Sequence, residues 1–245
     1  MSDFNPGSYG AGIADEYDAL YEGYLETDAA IERIIELAAG GAVLELGIGT
    51  GRLAVPLAAH GLEVHGVDAS PEMVEVLRMK PGGAQIPVVI GDFAEVHAGS
   101  DFTLVVLAFN TIFALPDQRA QVCCFANAAR HLRPGGRFVV EAWIPDLGDF
   151  HHNRAVRPRI GRSDVVSIEV VDVDPVDQMM RTTQIVLRDG SVRLHPANHR
   201  YAWPAELDLM AELAGMRRID RWENWRGTPF TADSREHVTV YQRET

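Results

Sequence analysis

The sequence predicts an α/β protein with a doubly wound, seven-stranded, mostly parallel sheet, an antiparallel last strand and a small antiparallel β insert between strands five and six. Two observations lead to this fold class. Short apolar runs alternate with amphipathic stretches through the first 143 residues, which is typical of a parallel sheet with helices on both faces. Beyond Pro145, strand-like runs follow one another without intervening helices.

In the first half of the chain, glycine, serine and proline residues indicate where several helices begin and end. A helix over 28–39 ends at Gly40-Gly41, and Ser70 and Pro71 provide the cap and first position of a helix over 72–78. The other predicted helices cover 51–60 and 118–132. The predicted strands cover 42–46, 63–67, 87–90, 102–109 and 137–143.

The second half contains the predicted insert. Three strands are expected over 165–173, 179–187 and 192–201, with Arg188-Asp189-Gly190-Ser191 as a hairpin turn. A helix over 204–214 precedes two closing strands, 216–222 and 237–243, which should pair antiparallel because no crossover helix separates them. We therefore expect one domain over 1–245, with an N-terminal lid over 1–27 and the insert over about 160–202.

Composition narrows the classes of partner. A net charge of −13 argues against binding nucleic acid, and no run is long and apolar enough to span a membrane. The two cysteines are adjacent in a helical pattern, which fits small core or surface residues in a reducing cytosol better than a metal or redox site. We expect a cytoplasmic monomer or homodimer that acts on a small molecule and holds no metal.

The most informative motif joins the first predicted strand to the next helix. Glu45-Leu-Gly47-Ile-Gly49-Thr-Gly51-Arg52 places three glycines at alternate positions. Glycine permits a tight turn and close approach of a ligand to the backbone, and a following helix would direct unpaired N–H groups at that ligand. The spacing differs from the G-x-G-x-x-G of dinucleotide-binding proteins.

Read with Glu45, the motif is E-x-G-x-G-x-G, and the chain resembles class I S-adenosylmethionine-dependent methyltransferases. It is similar over nearly its whole length to small-molecule methyltransferases such as the N,N-dimethyltransferases of antibiotic amino sugars. The segments from Tyr201 to Leu207 and from Gly227 to Ser234 are included. The resemblance implies S-adenosylmethionine as cofactor and methylation of a nitrogen or oxygen on a small molecule in bacterial secondary metabolism.

The ends of the next strands supply further cofactor candidates. Asp68 ends the second strand, where an acid can accept hydrogen bonds from both ribose hydroxyls; its alternative role, capping the next helix, already belongs to Ser70. The resemblance implies that Asp92 holds the adenine amino group while Phe93 and Met73 line the ring. The expected cofactor-binding residues are Tyr17, Tyr21, Glu45, Gly47, Gly49, Gly51, Arg52, Asp68, Ala69, Met73, Asp92, Phe93, Ala108 and Phe109.

Two of these residues belong to the predicted lid. Tyr17 and Tyr21 are four residues apart, so one helical face could carry both, either over the cofactor or buried against the first helix. After the fourth strand, the resemblance implies that the backbone of Ala108 and Phe109 faces the methionine part of the cofactor. Asn110 could act there or orient the acceptor, and it could equally be a turn residue.

Residues that could bind or deprotonate the methyl acceptor follow the fifth predicted strand. His151 and His152 have a suitable intrinsic pKa for a general base, and Asp146 and Asp149 lie close by; the alternative is a pair of solvated loop histidines. Phe113, Trp143 and Phe150 are expected to line the substrate pocket, with Glu141 in the wall or behind it.

The sequence leaves the roles of four arginines and two further histidines open. Arg154, with Arg157, Arg159 and Arg162, could bind an acidic or nucleotide-linked substrate or could be solvated. His195 and His199 share a face of a predicted strand and favour packing or pocket lining over metal binding. Two other functions are compatible with parts of the sequence: a catalytically inactive S-adenosylmethionine-binding sensor and a nicotinamide-dependent oxidoreductase.

Overall fold

Strands and helices alternate in a computed structural model that describes residues 10, 13–14, 17–18, 26–148, 150–160, 165–188 and 190–244. The helices are α1 (Thr27–Ala38), α2 (Ala54–Ala59), α3 (Pro71–Met79), α4 (Gln118–His131) and α5 (Pro204–Leu213). Short 3-10 turns cover Gly83–Gln85 and Thr111–Ala114. The strands are β1 (Val43–Leu46), β2 (Val64–Asp68), β3 (Val88–Ile90), β4 (Phe102–Leu107), β5 (Leu132–Trp143), β6 (Arg154–Ile160), β7 (Val165–Asp174), β8 (Met179–Arg188), β9 (Ser191–Arg200), β10 (Met216–Trp222) and β11 (Glu236–Arg243).

The main sheet has seven strands in the order β10-β11-β5-β4-β1-β2-β3. Strands β1 to β5 pair in parallel, whereas β11 runs antiparallel to both β5 and β10. The predicted doubly wound sheet with an antiparallel last strand is therefore confirmed. Its parallel strands bring the ends of β1, β2, β4 and β5 to one edge, where ligands bind in such sheets.

Helices cover both faces of this sheet. Leu44, Val105 and Phe138 belong to the core on one face, and Val43, Leu104 and Val139 belong to the core on the other. All four residues of β1 are buried, as expected of a central parallel strand. Within the described residues, no helix combines the length and apolarity needed to cross a bilayer.

The insert is a four-stranded antiparallel sheet in the order β6-β7-β8-β9. The sequence predicted only its last three strands, because Pro158 and the run of arginines hid β6. Proline cannot donate to a ladder, but an edge strand has a side that needs no donor. Pro158 and Pro196 lie on β6 and β9, the two edges of this sheet.

The helix after the glycine turn also differs from the prediction. It was expected over 51–60, but α2 begins at Ala54 and has only six residues. The preceding residues continue the turn, with Gly51 in a left-handed conformation that a helix cannot include.

Candidate active site

The glycine turn has the shape of a ligand cradle. Gly47, Gly49 and Gly51 have φ values of +72°, +53° and +79°, a region that disfavours residues with a side chain. A Cβ on Gly47 would lie 2.6 Å from Thr111 Cγ2, so the turn packs closely against the loop after β4. A Cβ on Gly49 would meet no atom within 4 Å, so the backbone there borders open space that a ligand can fill.

Several backbone amides of this turn donate hydrogen bonds to carbonyl groups of the protein itself. Gly47 and Ile48 both donate to the Val67 carbonyl, at 2.8 and 2.9 Å, and Gly51 donates to the Ile48 carbonyl at 3.0 Å. These three amides are therefore not available to a ligand. The prediction that amides at the start of the following helix face the ligand stays a prediction.

Asp68 connects the end of β2 to this turn. Its Oδ2 accepts a hydrogen bond from the Gly49 amide at 2.7 Å, and its Oδ1 accepts one from the Ser70 amide at 2.9 Å. Burial raises its pKa, and hydrogen bonds from the Ser70, Gly49 and Ala69 amides oppose that shift. A carboxylate has about four acceptor sites, so capacity remains for ligand hydroxyls. Ser70 caps α3 as predicted, with its Oγ accepting from the Met73 amide.

Asp92 follows β3 at the neighbouring strand end, and its Oδ1 accepts a hydrogen bond from the Ala94 amide at 2.8 Å. Phe93 and Met73, the expected ring-lining residues, are both buried. Gly10 lies against α3, where an added Cβ would be 2.5 Å from Ser70 Cβ. The N-terminal segment thus reaches the side of the site predicted to hold adenine.

Glu45 is a buried carboxylate on β1, directly before the turn. Burial raises its pKa to about 8, against the attraction of Arg52; the charge of Asp68 raises it further, and a hydrogen bond from the Ala54 amide lowers it. Its Oε2 is buried and has no hydrogen-bond partner among the residues that the structure describes. An unsatisfied acidic oxygen beside an open glycine is suited to a positively charged ligand group.

Arg52 is a cation whose charge acts on this acid. Its guanidinium donates to Thr27 Oγ1 at 3.1 Å and lies 5.9 Å from the ring centroid of Phe109. Its charge lowers the pKa of both Glu45 and Glu141, so it joins the glycine turn to the loop after β4 electrostatically.

The loop after β4 is held in an unusual conformation. Phe109 and Asn110 both have positive φ, +52° and +60°, which is costly for residues with a side chain. The Phe109 amide donates to Glu141 Oε2 at 2.6 Å, and Asn110 Oδ1 accepts from the Trp143 amide at 2.6 Å. The Asn110 side chain therefore ties β4 to the end of β5, while the Ala108 carbonyl accepts from Thr111 Oγ1.

Glu141 and Trp225 support this loop from behind. Burial raises the pKa of Glu141, and hydrogen bonds from the Phe109 amide and the Trp225 side chain oppose that shift. The sequence predicts Glu141 in the pocket wall or behind it, but it gives no indication of Trp225. No local signal could have revealed it, because its contact spans 84 positions of the chain.

Aromatic rings form a wall next to the Asn110 loop. Trp143 packs edge-on against buried Phe113 at 4.6 Å and lies 6.5 Å from the His199 ring, measured between centroids. Trp143 and Phe150 also contact the apolar cluster on the inner side of the small sheet, which contains Val171, Val173, Met180 and Tyr201. Two of the predicted pocket residues, Phe113 and Trp143, are thus in direct contact.

For His199 the sequence favours packing or pocket lining over metal binding. Burial lowers its pKa, opposed by the charge of Glu169, so its ring is neutral near pH 7. Its Nδ1 is buried and finds no hydrogen-bond partner within the described ranges of the chain. A neutral imidazole with an unsatisfied nitrogen beside Trp143 could pair with a polar atom of a bound molecule. No cluster of metal-ligating side chains occurs among the described residues.

The other residues predicted to act on the methyl acceptor belong to the loop after β5 and to β6. His151 and His152 are exposed and pack against each other at 4.2 Å, and the His151 backbone pairs with that of Arg154. Arg154 donates to Asp172 at 3.2 Å, and Arg157 stacks on Phe150 at 5.2 Å. These two arginines therefore have partners on their own sheet or the adjoining loop.

The predicted lid contacts the glycine turn through Asp18. Its Oδ1 accepts from Thr50 Oγ1 at 2.6 Å, and its Oδ2 lies 2.6 Å from Lys80 Nζ, at the end of α3. Burial raises the pKa of Asp18, but the hydrogen bonds and charges of Lys80, Thr50 and Arg52 outweigh it and leave the pKa below its usual value. Tyr17 precedes this contact, whereas Tyr21, Asp149 and Arg162 lie outside the described residues.

The strand order, the antiparallel β11, the left-handed glycine turn after β1 and the acid at the end of β2 define a Rossmann-like methyltransferase. Residues 43–136 match the family model described as a methyltransferase domain. A cypemycin N-terminal methyltransferase from Streptomyces sp. is 31% identical over 211 residues, which cover 84% of each chain. The chain therefore belongs to this family and is an S-adenosylmethionine-dependent methyltransferase.

Two further relatives support this assignment. The solved structure of the CcbJ methyltransferase from Streptomyces caelestis is 38% identical, has a TM-score of 0.90, and is matched over 99% of this chain and 100% of that one. A dTDP-4-amino-2,3,4,6-tetradeoxy-D-glucose N,N-dimethyltransferase from Saccharopolyspora spinosa is 28% identical over 63% of this chain and 68% of its own. The expected resemblance to amino-sugar methyltransferases is confirmed, and it favours a methyltransferase over an oxidoreductase.

Proposed function

We propose that this enzyme methylates an amino nitrogen of a small molecule, which binds between Trp143 and the inner side of the small sheet. The observation that carries the proposal is the neutral, half-buried His199, whose buried Nδ1 has no partner among the described residues and whose ring lies 6.5 Å from that of Trp143. Two relatives support nitrogen as the acceptor, because their names describe an N-terminal and an N,N-dimethyltransferase.

The residues of the cofactor site have separable roles in this proposal. Gly49 lets the cofactor approach the backbone, Asp68 and Asp92 accept hydrogen bonds from it, and the ionised form of Glu45 attracts its positive charge. Phe109 and Ala108 form the wall beside it, held by Glu141. Bound S-adenosylmethionine supplies an electrophilic methyl group on a sulfonium.

In this proposal, the residues around the methyl acceptor accelerate the reaction mainly by aligning the acceptor nitrogen with the methyl group of the cofactor. Phe113 and Trp143 exclude water and fix the acceptor, and correct alignment alone can supply about 7 kcal/mol or more. The Nδ1 of His199 accepts a hydrogen bond from the amine and can take its proton when the new carbon–nitrogen bond has formed. His151 and His152 remain the candidates from the loop, although their exposure favours His199.

We also propose that the acceptor is not a nucleic acid and that the enzyme works in the cytosol as one domain. The net charge of −13 supports the first point, and the free Cys123 and Cys124 fit the second. In this proposal residues 1–27 act as a lid on the cofactor.

The direct test is transfer of labelled methyl groups from S-adenosylmethionine to a panel of amines, each matched by its hydroxyl analogue. Sugar amines and peptide N-termini are the first choices. We expect products from amines only. Transfer to the hydroxyl analogues alone would overturn the choice of nitrogen, and binding of S-adenosylhomocysteine, followed by thermal shift, shows separately that the cofactor site is intact.

Histidine variants test the acceptor side. We expect His199→Gln to reduce kcat by on the order of tenfold to a hundredfold with unchanged S-adenosylmethionine affinity, because a general base typically contributes at least that much. His151→Ala and His152→Ala are matched comparisons in the loop. Normal turnover by His199→Gln together with slow turnover by either loop variant would assign the role to the loop instead.

A further inference from the structure

Two carboxamide side chains on α4, those of Gln121 and Asn127, are buried in the protein. They are six residues apart, which corresponds to about 9 Å along the helix axis. Burying an amide group costs free energy unless its hydrogen bonds are made, so each of these side chains requires specific partners. Those partners lie next to residues of the active site.

Gln121 connects the loop after β4 to the end of β9. Its Nε2 donates to the Ile112 carbonyl at 3.1 Å and to the Arg200 carbonyl at 2.7 Å. Its Oε1 accepts a hydrogen bond from Arg200 Nη1 at 2.7 Å. Ile112 directly precedes Phe113, and Arg200 directly follows His199. One side chain therefore fixes the backbone beside two residues that are proposed to hold the methyl acceptor.

Asn127 makes the same pattern of hydrogen bonds to the segment after β3. Its Nδ2 donates to the Phe93 carbonyl and to the Val96 carbonyl, both at 2.9 Å. Its Oδ1 accepts a hydrogen bond from Arg130 Nη2 at 2.9 Å. These bonds hold the segment that begins with Asp92, where the adenine of the cofactor is proposed to bind.

His131, one helical turn further along α4, supports the same segment. Its Nε2 lies 2.9 Å from the amide nitrogen of Ala98, which can only donate, so Nε2 accepts and Nδ1 carries the proton. That proton is donated to the Asn127 carbonyl at 2.7 Å. Residues 93–98 are thus bonded to α4 through three of their backbone groups.

The partners of the two carboxamides fix the orientation of each amide group. An arginine side chain can only donate and a carbonyl can only accept, so each amide oxygen must face its arginine and each NH₂ group its two carbonyls. Both N–H donors of Gln121 and both of Asn127 are therefore used. Replacing either NH₂ group by an oxygen would leave two backbone carbonyls without these donors.

We propose that Gln121 and Asn127 are separate positioning residues for the two halves of the active site. Gln121 sets the half that binds the methyl acceptor, and Asn127 sets the half that binds adenine. The inference rests on the proposed function, which places the acceptor beside His199 and Phe113. A 14-residue helix packed into the core can serve both halves, because buried hydrogen-bond networks specify one arrangement of the backbone.

Matched substitutions in the full-length enzyme test the two roles. Gln121→Glu and Asn127→Asp keep the shape of the side chain and the oxygen that faces arginine, but they lose both donors. Gln121→Met and Asn127→Leu remove the amide without adding a charge, and they serve if an acidic variant does not fold. Each residue is the control for the other, because both are buried on one helix.

Calorimetry measures the adenine half with S-adenosylhomocysteine and its inosine analogue, in which a carbonyl oxygen replaces the adenine amino group. We expect Asn127→Asp to weaken S-adenosylhomocysteine binding by on the order of tenfold, because Asp92 and Phe93 lose their fixed position. Its preference for S-adenosylhomocysteine over the inosine analogue should also decrease. Gln121→Glu should bind both compounds as the wild type does.

Hydrogen exchange and steady-state kinetics measure the acceptor half. We expect Gln121→Glu to accelerate exchange of the backbone amides in residues 111–115 and 197–202 by on the order of tenfold, whereas Asn127→Asp should accelerate it in residues 92–98 only. With the panel amine that the wild type methylates fastest, we expect Gln121→Glu to lower kcat/KM by on the order of tenfold because the acceptor is misaligned. The affinity for S-adenosylmethionine should not change.

The proposal is overturned if each variant impairs both halves equally, or if neither variant impairs its own half. The first result would give the two amides one common structural role, and the second would give them none. His199→Gln keeps this test separate from the proposed function. Slow turnover by His199→Gln with normal turnover by Gln121→Glu would contradict the positioning role alone. The reverse result would leave that role intact and contradict the role proposed for His199.

Discussion

At the scale of single residues, the site contains two acids whose surroundings differ: Glu45 is buried and Asp68 is half-buried. Asp68 accepts hydrogen bonds from backbone amides, whereas one oxygen of Glu45 has no partner in the described part of the chain. Hydrogen bonds to a carboxylate stabilise its charged form, and burial without them favours the protonated form. The two acids therefore lead to different predictions.

Asp68→Ala should weaken S-adenosylmethionine binding at least tenfold, a loss of about 1.4 kcal/mol or more. The variant removes the proposed acceptor for the ribose and also the hydrogen bond from the Gly49 amide. Calorimetry measures the affinity, and Glu95→Ala, an exposed acid after β3, is the control. Unchanged affinity in Asp68→Ala would exclude Asp68 from the cofactor site.

Glu45→Gln should change how both binding and stability depend on pH. The folded pKa of about 8 lies above the ordinary value of 4.5, so the stability that protonated Glu45 contributes is fully present below pH 4.5 and is lost as the pH rises to about 8. We therefore expect the variant to gain stability relative to wild type across this range, measured by urea unfolding at pH 5 and pH 8.

The same pKa predicts how the affinity for the cofactor changes with pH. A positively charged ligand binds the ionised form of Glu45, so wild-type affinity should rise from about pH 6 towards pH 8, with release of a proton on binding. In Glu45→Gln this contribution should disappear and the affinity should be lower. Calorimetry in buffers of different ionisation enthalpy measures the proton release, and equal release by both proteins would contradict the assignment.

At the scale of elements, the loop after β4 depends on contacts that no local pattern encodes. Phe109 and Asn110 adopt left-handed conformations, and Glu141 and Asn110 bind backbone amides to hold them. Strain of this kind persists where surrounding structure enforces it, often at functional sites.

Asn110→Ala and Asn110→Gly separate the two roles of this residue. Both variants lose the bond to the Trp143 amide, but only alanine is disfavoured at a φ of +60°. We expect Asn110→Ala to be less stable than Asn110→Gly by about 1 kcal/mol, measured by urea unfolding. Equal stability would mean that the positive φ imposes no cost at this position.

The same elements explain what the sequence could predict. The sheet, the glycine turn, the position of Asp68 at the end of β2 and the Ser70 cap follow from residues adjacent in the chain, so the sequence predicts them correctly. The length of α2, strand β6 and the pairing of Glu141 with Trp225 depend on distant contacts or on an edge position that tolerates proline. His199 reaches Trp143 only because β9 returns the chain to the end of β5.

At the scale of the whole molecule, the N-terminal segment is tied to two parts of the cofactor site through one carboxylate. Asp18 accepts a hydrogen bond from Thr50 in the glycine turn and pairs with Lys80, the only lysine of the chain. Release of the cofactor would require this contact to open if the segment is the lid that we propose. The low pKa of Asp18 keeps the carboxylate charged at all pH values used for assays.

Asp18→Asn and Lys80→Ala should therefore accelerate the release of S-adenosylmethionine. A half-exposed ion pair contributes at most about 1 kcal/mol, so we expect an increase in the dissociation rate constant of up to about fivefold, measured by stopped-flow fluorescence. Glu36→Ala, which breaks an exposed ion pair with Arg33 on α1, should leave the rate unchanged. If both variants release the cofactor at the wild-type rate, Asp18 positions the segment without controlling access, because a lid that opens more easily must shorten the lifetime of what it covers.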